Sequence, residues 1–148
     1  MDEWIRNLLI RRSDLSEKKL RATAVQMDIH FPTARMTDHE KLIPNLNLPD
    51  LNDRHVLAAA IHSHSTHIVT FNLSDFPEHE LVQYAVVAIH PNDFLELLHG
   101  HYPKKVRSAF AFQIARLSRP PVSPETAVAT LERANLTSAR RILLGEEF

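Results

Sequence analysis

The stretch Leu48–Pro77, LPDLNDRHVLAAAIHSHSTHIVTFNLSDFP, decides how the chain is read. An acidic turn with Asp50, Asn52 and Asp53 opens a short apolar segment, Arg54 to His64. Val56, Leu57, Ala59, Ala60 and Ile61 give that segment an apolar helical face, and its alanines let it lie close to a sheet. A β-branched strand follows at Ile68–Phe71 and ends in a polar turn carrying Asn72 and Asp75. Carboxylates therefore stand at a helix start and at a strand end. In an α/β sheet these places can meet at one rim, where ligands usually bind.

Working outward, Pro77 can open a helical turn, and Tyr84–Ile89 reads as a second strand. Pro91, Asn92 and Asp93 start a helix running through Leu98. Helix, strand, helix, strand, helix is the alternation of a parallel α/β sheet. Toward the N-terminus, Trp4, Ile5, Leu8 and Leu9 are spaced as in a helix. Asp14 with Glu17 suggests the cap of a second helix that runs to about Phe31 and is stopped by Pro32. A short strand is expected near Ala34–Met36. Beyond His101 the pattern turns helical. One helix covers about Pro103–Leu117, and a second starts at Ser123–Pro124 and runs to about Ala134. A last one covers Ala139–Leu144. The expected organisation is an α/β domain over 1–99 and a helical extension over 100–148, with the boundary near 99–103.

Composition limits the chemistry. The chain has 148 residues, one domain's worth, and a hydrophobic content of 44% that suffices for a core. A net charge of -1 gives no global pull toward nucleic acid. The absence of cysteine excludes disulfides, zinc–thiolate sites and thiol nucleophiles, and only two glycines argue against a Gly-rich phosphate loop. No apolar run reaches the roughly 18 residues of a membrane span, and the charged start MDEWIRNLLIRR is unlike a signal peptide. A cytoplasmic setting is expected.

Each candidate group has two readings. Asp50 and Asp53 suit a metal, but Asp also fills helix N-caps for structural reasons. Asp75 can be a ligand or the side chain of an Asx-type turn, and Glu3 alone reads as a solvated helical glutamate. The histidines His62, His64 and His67 lack the spacing of a helical zinc pair with a catalytic glutamate, and helix C-termini favour histidine without a metal. Arg11-Arg12, Lys18-Lys19 and Lys104-Lys105 with Arg107 can meet phosphates or form solvated faces.

Taken together, Asp50-x-x-Asp53-Arg54-His55-Val56-Leu57-Ala58-Ala59-Ala60, Ile68–Pro77 and His90-Pro91-x-x-Phe94-Leu95 resemble the C-terminal half of a PIN domain. The closest branch is that of VapC-like bacterial toxins. Pro120-Pro121, Ser123-Pro124 and Leu131-Glu132-Arg133-Ala134 resemble the helical extension of the same branch. The resemblance implies an α/β, three-layer PIN-like fold with a small parallel sheet and a helical appendage. It implies a Mg²⁺- or Mn²⁺-dependent endoribonuclease, the toxin of a type II toxin–antitoxin pair. The implied catalytic residues are Glu3, Asp53 and Asp75. The implied metal ligands are the same three with Asn72, which stands where many members carry Asp, and Asp50 assists. Arg54, Thr70 and Asn72 are the implied substrate contacts. RNA, an antitoxin and a second copy of the chain are the implied partners.

PIN domains begin with a central strand carrying the first metal-binding aspartate. Only Met1 and Asp2 precede Glu3 here. The resemblance therefore implies a shortened member, with either Met1 an internal start or the gene start upstream. Losing that strand would expose sheet edges and favour self-association. It would also make the chain a poor nuclease, so a catalytically inactive binding or dimerisation module is the rival expectation.

Overall fold

The computed structural model describes residues 3–117 and 120–145, without the side chain of Glu3. The chain is mixed α/β and mostly helical. The expected first helix is α1, Glu3–Arg11, and the second is α2, Glu17–His30. Asp14 does not cap α2. Arg12 takes its carboxylate through two hydrogen bonds of 2.7 Å and holds it below the usual carboxylate range, so Ser16 occupies the cap position. The strand expected at 34–36 is absent. Ala34 N donates to the Phe31 carbonyl at 2.9 Å, and Arg35 pairs with Asp28 at 2.8 Å. Both contacts fold the segment back against the end of α2 and leave it no extended partner.

Three 3₁₀ turns, His39–Lys41, Ile43–Asn45 and Leu51–Asp53, lead to helix α3, Arg54–His62. Helix α3 packs on the first two turns and on strand β1, His67–Val69. The helix ends in the histidine run. Ser65 N reaches back to the Ala60 carbonyl at 2.9 Å, and His64 adopts a left-handed φ of 55°. These residues close a helix as a C-terminal cap does.

A 3₁₀ turn at Leu73–Asp75, helix α4 (Glu78–Leu81) and a further turn at Val82–Tyr84 connect β1 to β2, Val87–Ile89. Strand β2 starts later than its apolar run suggests, because Ala85 takes a left-handed φ of 55° and breaks the extended conformation. The strands pair in parallel, with His67 opposite Val87, Ile68 opposite Ala88 and Val69 opposite Ile89. Alternation sends Ile68 and Val86 into a core with Leu46, Leu48, Leu57, Ala58, Phe76 and Leu81. The other face leaves Val69 and Val87 44% and 56% exposed.

Helix α5, Pro91–His101, bridges the sheet and the C-terminal helices. Its start is capped by His90 Nδ1, which accepts from Asn92 N at 3.1 Å, while Phe94 rests near His67. Tyr102 joins α5 to α6, Pro103–Arg116. Helix α7, Pro124–Arg133, is capped by Ser123, whose hydroxyl accepts from Thr126 N. The last expected helix is a π-helical turn, Arg140–Leu144. Its backbone is gripped by Arg107, which donates to the Ile142 carbonyl at 3.0 Å. Asn92 Oδ1 accepts from both Ser138 N and Ser138 Oγ, at 2.9 and 2.8 Å.

Candidate metal centre

The 3₁₀ turn before α3 gives its two aspartates different work. Asp50 is the structural one, its Oδ1 accepting from Asn52 N at 2.8 Å and from Asn52 Nδ2 at 3.0 Å. Asp53 ends the turn and precedes α3, yet its carboxylate makes no cap hydrogen bond to the helix. It is turned instead toward Asp50 and Asp75. The three carboxylates offer oxygens all lying within 4.8 Å of one another.

The rim of the sheet supplies Asp75. Strand β1 ends at Val69, and Thr70 still donates its N–H to the Ile89 carbonyl at 3.0 Å. The chain then turns: Thr70 Oγ1 accepts from Asn72 N at 3.1 Å, and Ser74 Oγ donates to Asn72 Oδ1 at 2.6 Å. Asn72 Nδ2 donates to Asp75 Oδ2. This network places the Asp75 carboxylate facing the start of α3.

Like charges crowded at the edge of a core resist ionisation. The Asp53 carboxyl is accordingly raised above the ordinary range, first by burial and then by the charges of Asp50 and Asp75. His55 pulls the other way. The site thus has hard oxygen donors and an excess of negative charge. Around one octahedral Mg²⁺, ligand oxygens stand about 3–4 Å apart, given bonds of about 2.1 Å. The observed spread of up to 4.8 Å exceeds that by about 1–2 Å, a gap that rotation of these partly exposed carboxylates closes. The residues present fit a small divalent cation.

Of the residues singled out from sequence, the fold brings together Asp50, Asp53 and Asp75, with Asn72 bonded to the last. The Glu3 carboxylate lies outside the described residues. Arg54 Nε donates to the Leu51 carbonyl at 3.1 Å, on the turn that carries Asp53. Thr70 has its hydroxyl committed to the turn. Among the described residues the group able to share an ion contains no histidine. Ser74 received no role from sequence, although its place two residues after an Asn, in a strand-end turn, is where a hydroxyl can hold that side chain.

A parallel strand pair with an acidic group at its rim is consistent with a PIN-like fold. Residues 91–143 match the family model described as VapC50 C-terminal domain, a region that starts at α5 and does not include the three aspartates. The chain is also 35% identical over 79 residues to "Putative ribonuclease VapC50" of Mycobacterium tuberculosis (strain ATCC 25618 / H37Rv). That match covers 53% of this chain and 47% of the relative, so the chain spans about half the length of the curated protein it matches. No solved structure matches. Both are likenesses to VapC50-type proteins over part of the chain. No helix among the described residues is long and apolar enough to cross a membrane.

Proposed function

We propose that this chain carries the acidic pocket of a three-layer, PIN-like, metal-dependent endoribonuclease that acts in the cytoplasm as the toxin of a toxin–antitoxin pair. The observation that carries the reading is the Asp53 carboxylate: it stands at a helix start, leaves the cap unmade, and faces two other carboxylates. Mg²⁺ or Mn²⁺ would be held by Asp53 and Asp75, with Asp50 beside them; Glu3 is a further ligand on the resemblance alone. An ion held there would supply activation of a water for attack on a phosphodiester and would offset the phosphate charge. The chain's own residues do the rest. Asp53 and Asp75 orient the ion, and the rigid α3 start and strand end fix their separation. Arg54, on the turn beside Asp53, supplies a cation for an RNA phosphate, while Thr70 and Asn72 shape the floor of the substrate path. The natural partners are RNA and an antitoxin protein.

The test is cleavage of a structured RNA by the 148-residue chain in Mg²⁺ or Mn²⁺, against Asp53→Asn and against chelator. Metal-dependent cleavage lost in Asp53→Asn supports the proposal. Cleavage unchanged by the substitution removes the acidic pocket from the mechanism.

A non-catalytic module that pairs with a second copy is the second reading. It is favoured by apolar side chains left on the surface, including Val25, Met27, Ile29 and Phe31 of α2 and its end. Under it the chain binds RNA-free partners or itself, and Asp53→Asn changes nothing but stability.

A further inference from the structure

Asn72 stands at the strand end with both ends of its amide engaged. Asp75 Oδ2 accepts from its Nδ2, and its Oδ1 accepts from the Ser74 hydroxyl at 2.6 Å. The chemistry fixes this orientation. An ionised carboxylate has no proton to donate, so only the NH₂ end can face Asp75. Ser74, at the opposite end, then has a carbonyl to donate to. The backbone adds a third restraint, since Asn72 N–H is held by Thr70 Oγ1 at 3.1 Å. Each of these partners lies within three residues of Asn72, so the network is built by the turn itself.

With its carbonyl accepting from Ser74, the side chain has one oxygen lone pair left to offer a cation, and its orientation is fixed by two partners rather than by an ion. Its NH₂ end points at the carboxylate and repels a cation. We infer that Asn72 is a positioning residue: with Ser74 behind it, it aims the Asp75 carboxylate at the space shared with Asp50 and Asp53, and does not itself ligate the ion. The inference rests on the metal-site reading above. It also gives a reason for an amide where a second strand-end carboxylate would otherwise crowd Asp75: the amide donates a hydrogen bond to Asp75 where an aspartate would repel it.

Two measurements on the 148-residue chain test it. The first is free of metal and reads the Asn72 side-chain amide protons by ¹H–¹⁵N NMR. Asp75→Ala is expected to move those resonances to the position of a solvent-exposed amide, and Ser74→Ala to shift them less. Resonances that Asp75→Ala leaves in place overturn the inference. The second is Mn²⁺ affinity by calorimetry, with melting curves confirming that the variants fold. Groups that orient a ligand without touching the metal are worth about 10–100-fold in affinity. Asn72→Ala is expected to weaken Mn²⁺ binding within that range, and Ser74→Ala to weaken it by a smaller factor. Loss in Asn72→Ala with none in Ser74→Ala makes Asn72 a direct ligand and overturns the inference alone. So does unchanged affinity in both. An unaltered chain that binds no Mn²⁺ overturns the metal-site reading and this inference together.

Discussion

Asp53 concentrates the electrostatics of the molecule in one side chain. Its carboxyl is raised by burial and by two neighbouring carboxylates, so the folded state holds its proton to higher pH than the unfolded chain does. Where the folded state binds more protons, stability falls as pH rises. That fall starts near the ordinary value of 3.8 and is complete once pH has passed the raised value. Without divalent metal, Asp53→Asn is therefore expected to melt higher than the unaltered chain at pH 7, by about 1–2 °C for a partly solvated site. The difference should vanish near pH 4 in a series of thermal melts (about the carboxylate range). Saturating Mn²⁺ should reverse the order at pH 7, because only the unaltered site gains a cation. If Asp53→Asn melts lower in metal-free buffer at pH 7, the three carboxylates do not strain the fold. At this scale the residue types were legible from sequence and their division of labour was not. Asp50 and Asp53 both suit an N-cap, and only the turn geometry shows that Asp50 holds Asn52 while Asp53 is left for the pocket. The approach of Asp75 depends on the strand between them, which no local pattern encodes.

Elements were legible where a local signal starts or stops them. Pro91, Pro103 and Ser123-Pro124 mark the starts of α5, α6 and α7 because proline at the first helical turn carries its own geometry. The Ser123 hydroxyl accepts from Thr126 N as a cap should. Ser123→Ala is expected to cost about 1 kcal/mol in urea unfolding monitored by circular dichroism. The β2 boundary was illegible because an apolar run such as Tyr84–Ile89 looks the same whether or not its backbone extends. A left-handed Ala85 interrupts it. An L-residue with a Cβ pays about 1–2 kcal/mol for that conformation, and Ala85 is exposed, so no packing would be lost on truncation. Ala85→Gly is expected to stabilise the chain by about 1 kcal/mol after the added flexibility of glycine in the unfolded state is counted. A destabilised Ala85→Gly would show that the turn is held by something other than its backbone. Long-range ties were equally hidden. Asn92 reads as an ordinary first-turn residue, yet its carbonyl accepts from the backbone and hydroxyl of the buried Ser138. Asn92→Ala strands those donors at a cost of about 1–3 kcal/mol. Hydrogen exchange should show this as faster exchange across 138–144, with α3 unaffected.

At the scale of the whole molecule, the apolar surface is divided unevenly. The sheet packs one face on a core and leaves Val69 and Val87 on the other, while α2 buries none of its residues. Phe31 is 65% exposed, and Trp4, Ala24, Met27 and Phe31 line an open groove of about 240 Å³ between α1 and α2. Single exposed apolar residues are normal on a surface, but a group of large ones around one groove marks an interaction site. A second copy can cover such a face from both sides at once, since a two-fold interface uses the same patch twice. We therefore propose that the chain self-associates through α2. Sedimentation velocity should show a species larger than the 16.9 kDa chain at tens of micromolar, roughly the range in which interfaces of modest affinity fill. Trp4 emission should shift to the blue over the same concentrations as water leaves the groove. Met27→Glu with Phe31→Glu places charge on both copies of the patch and should return the chain to monomer, without lowering the melting temperature of a helix that buries nothing on its own. A compact monomer across that range, with Trp4 emission independent of concentration, would overturn self-association through the α2 face.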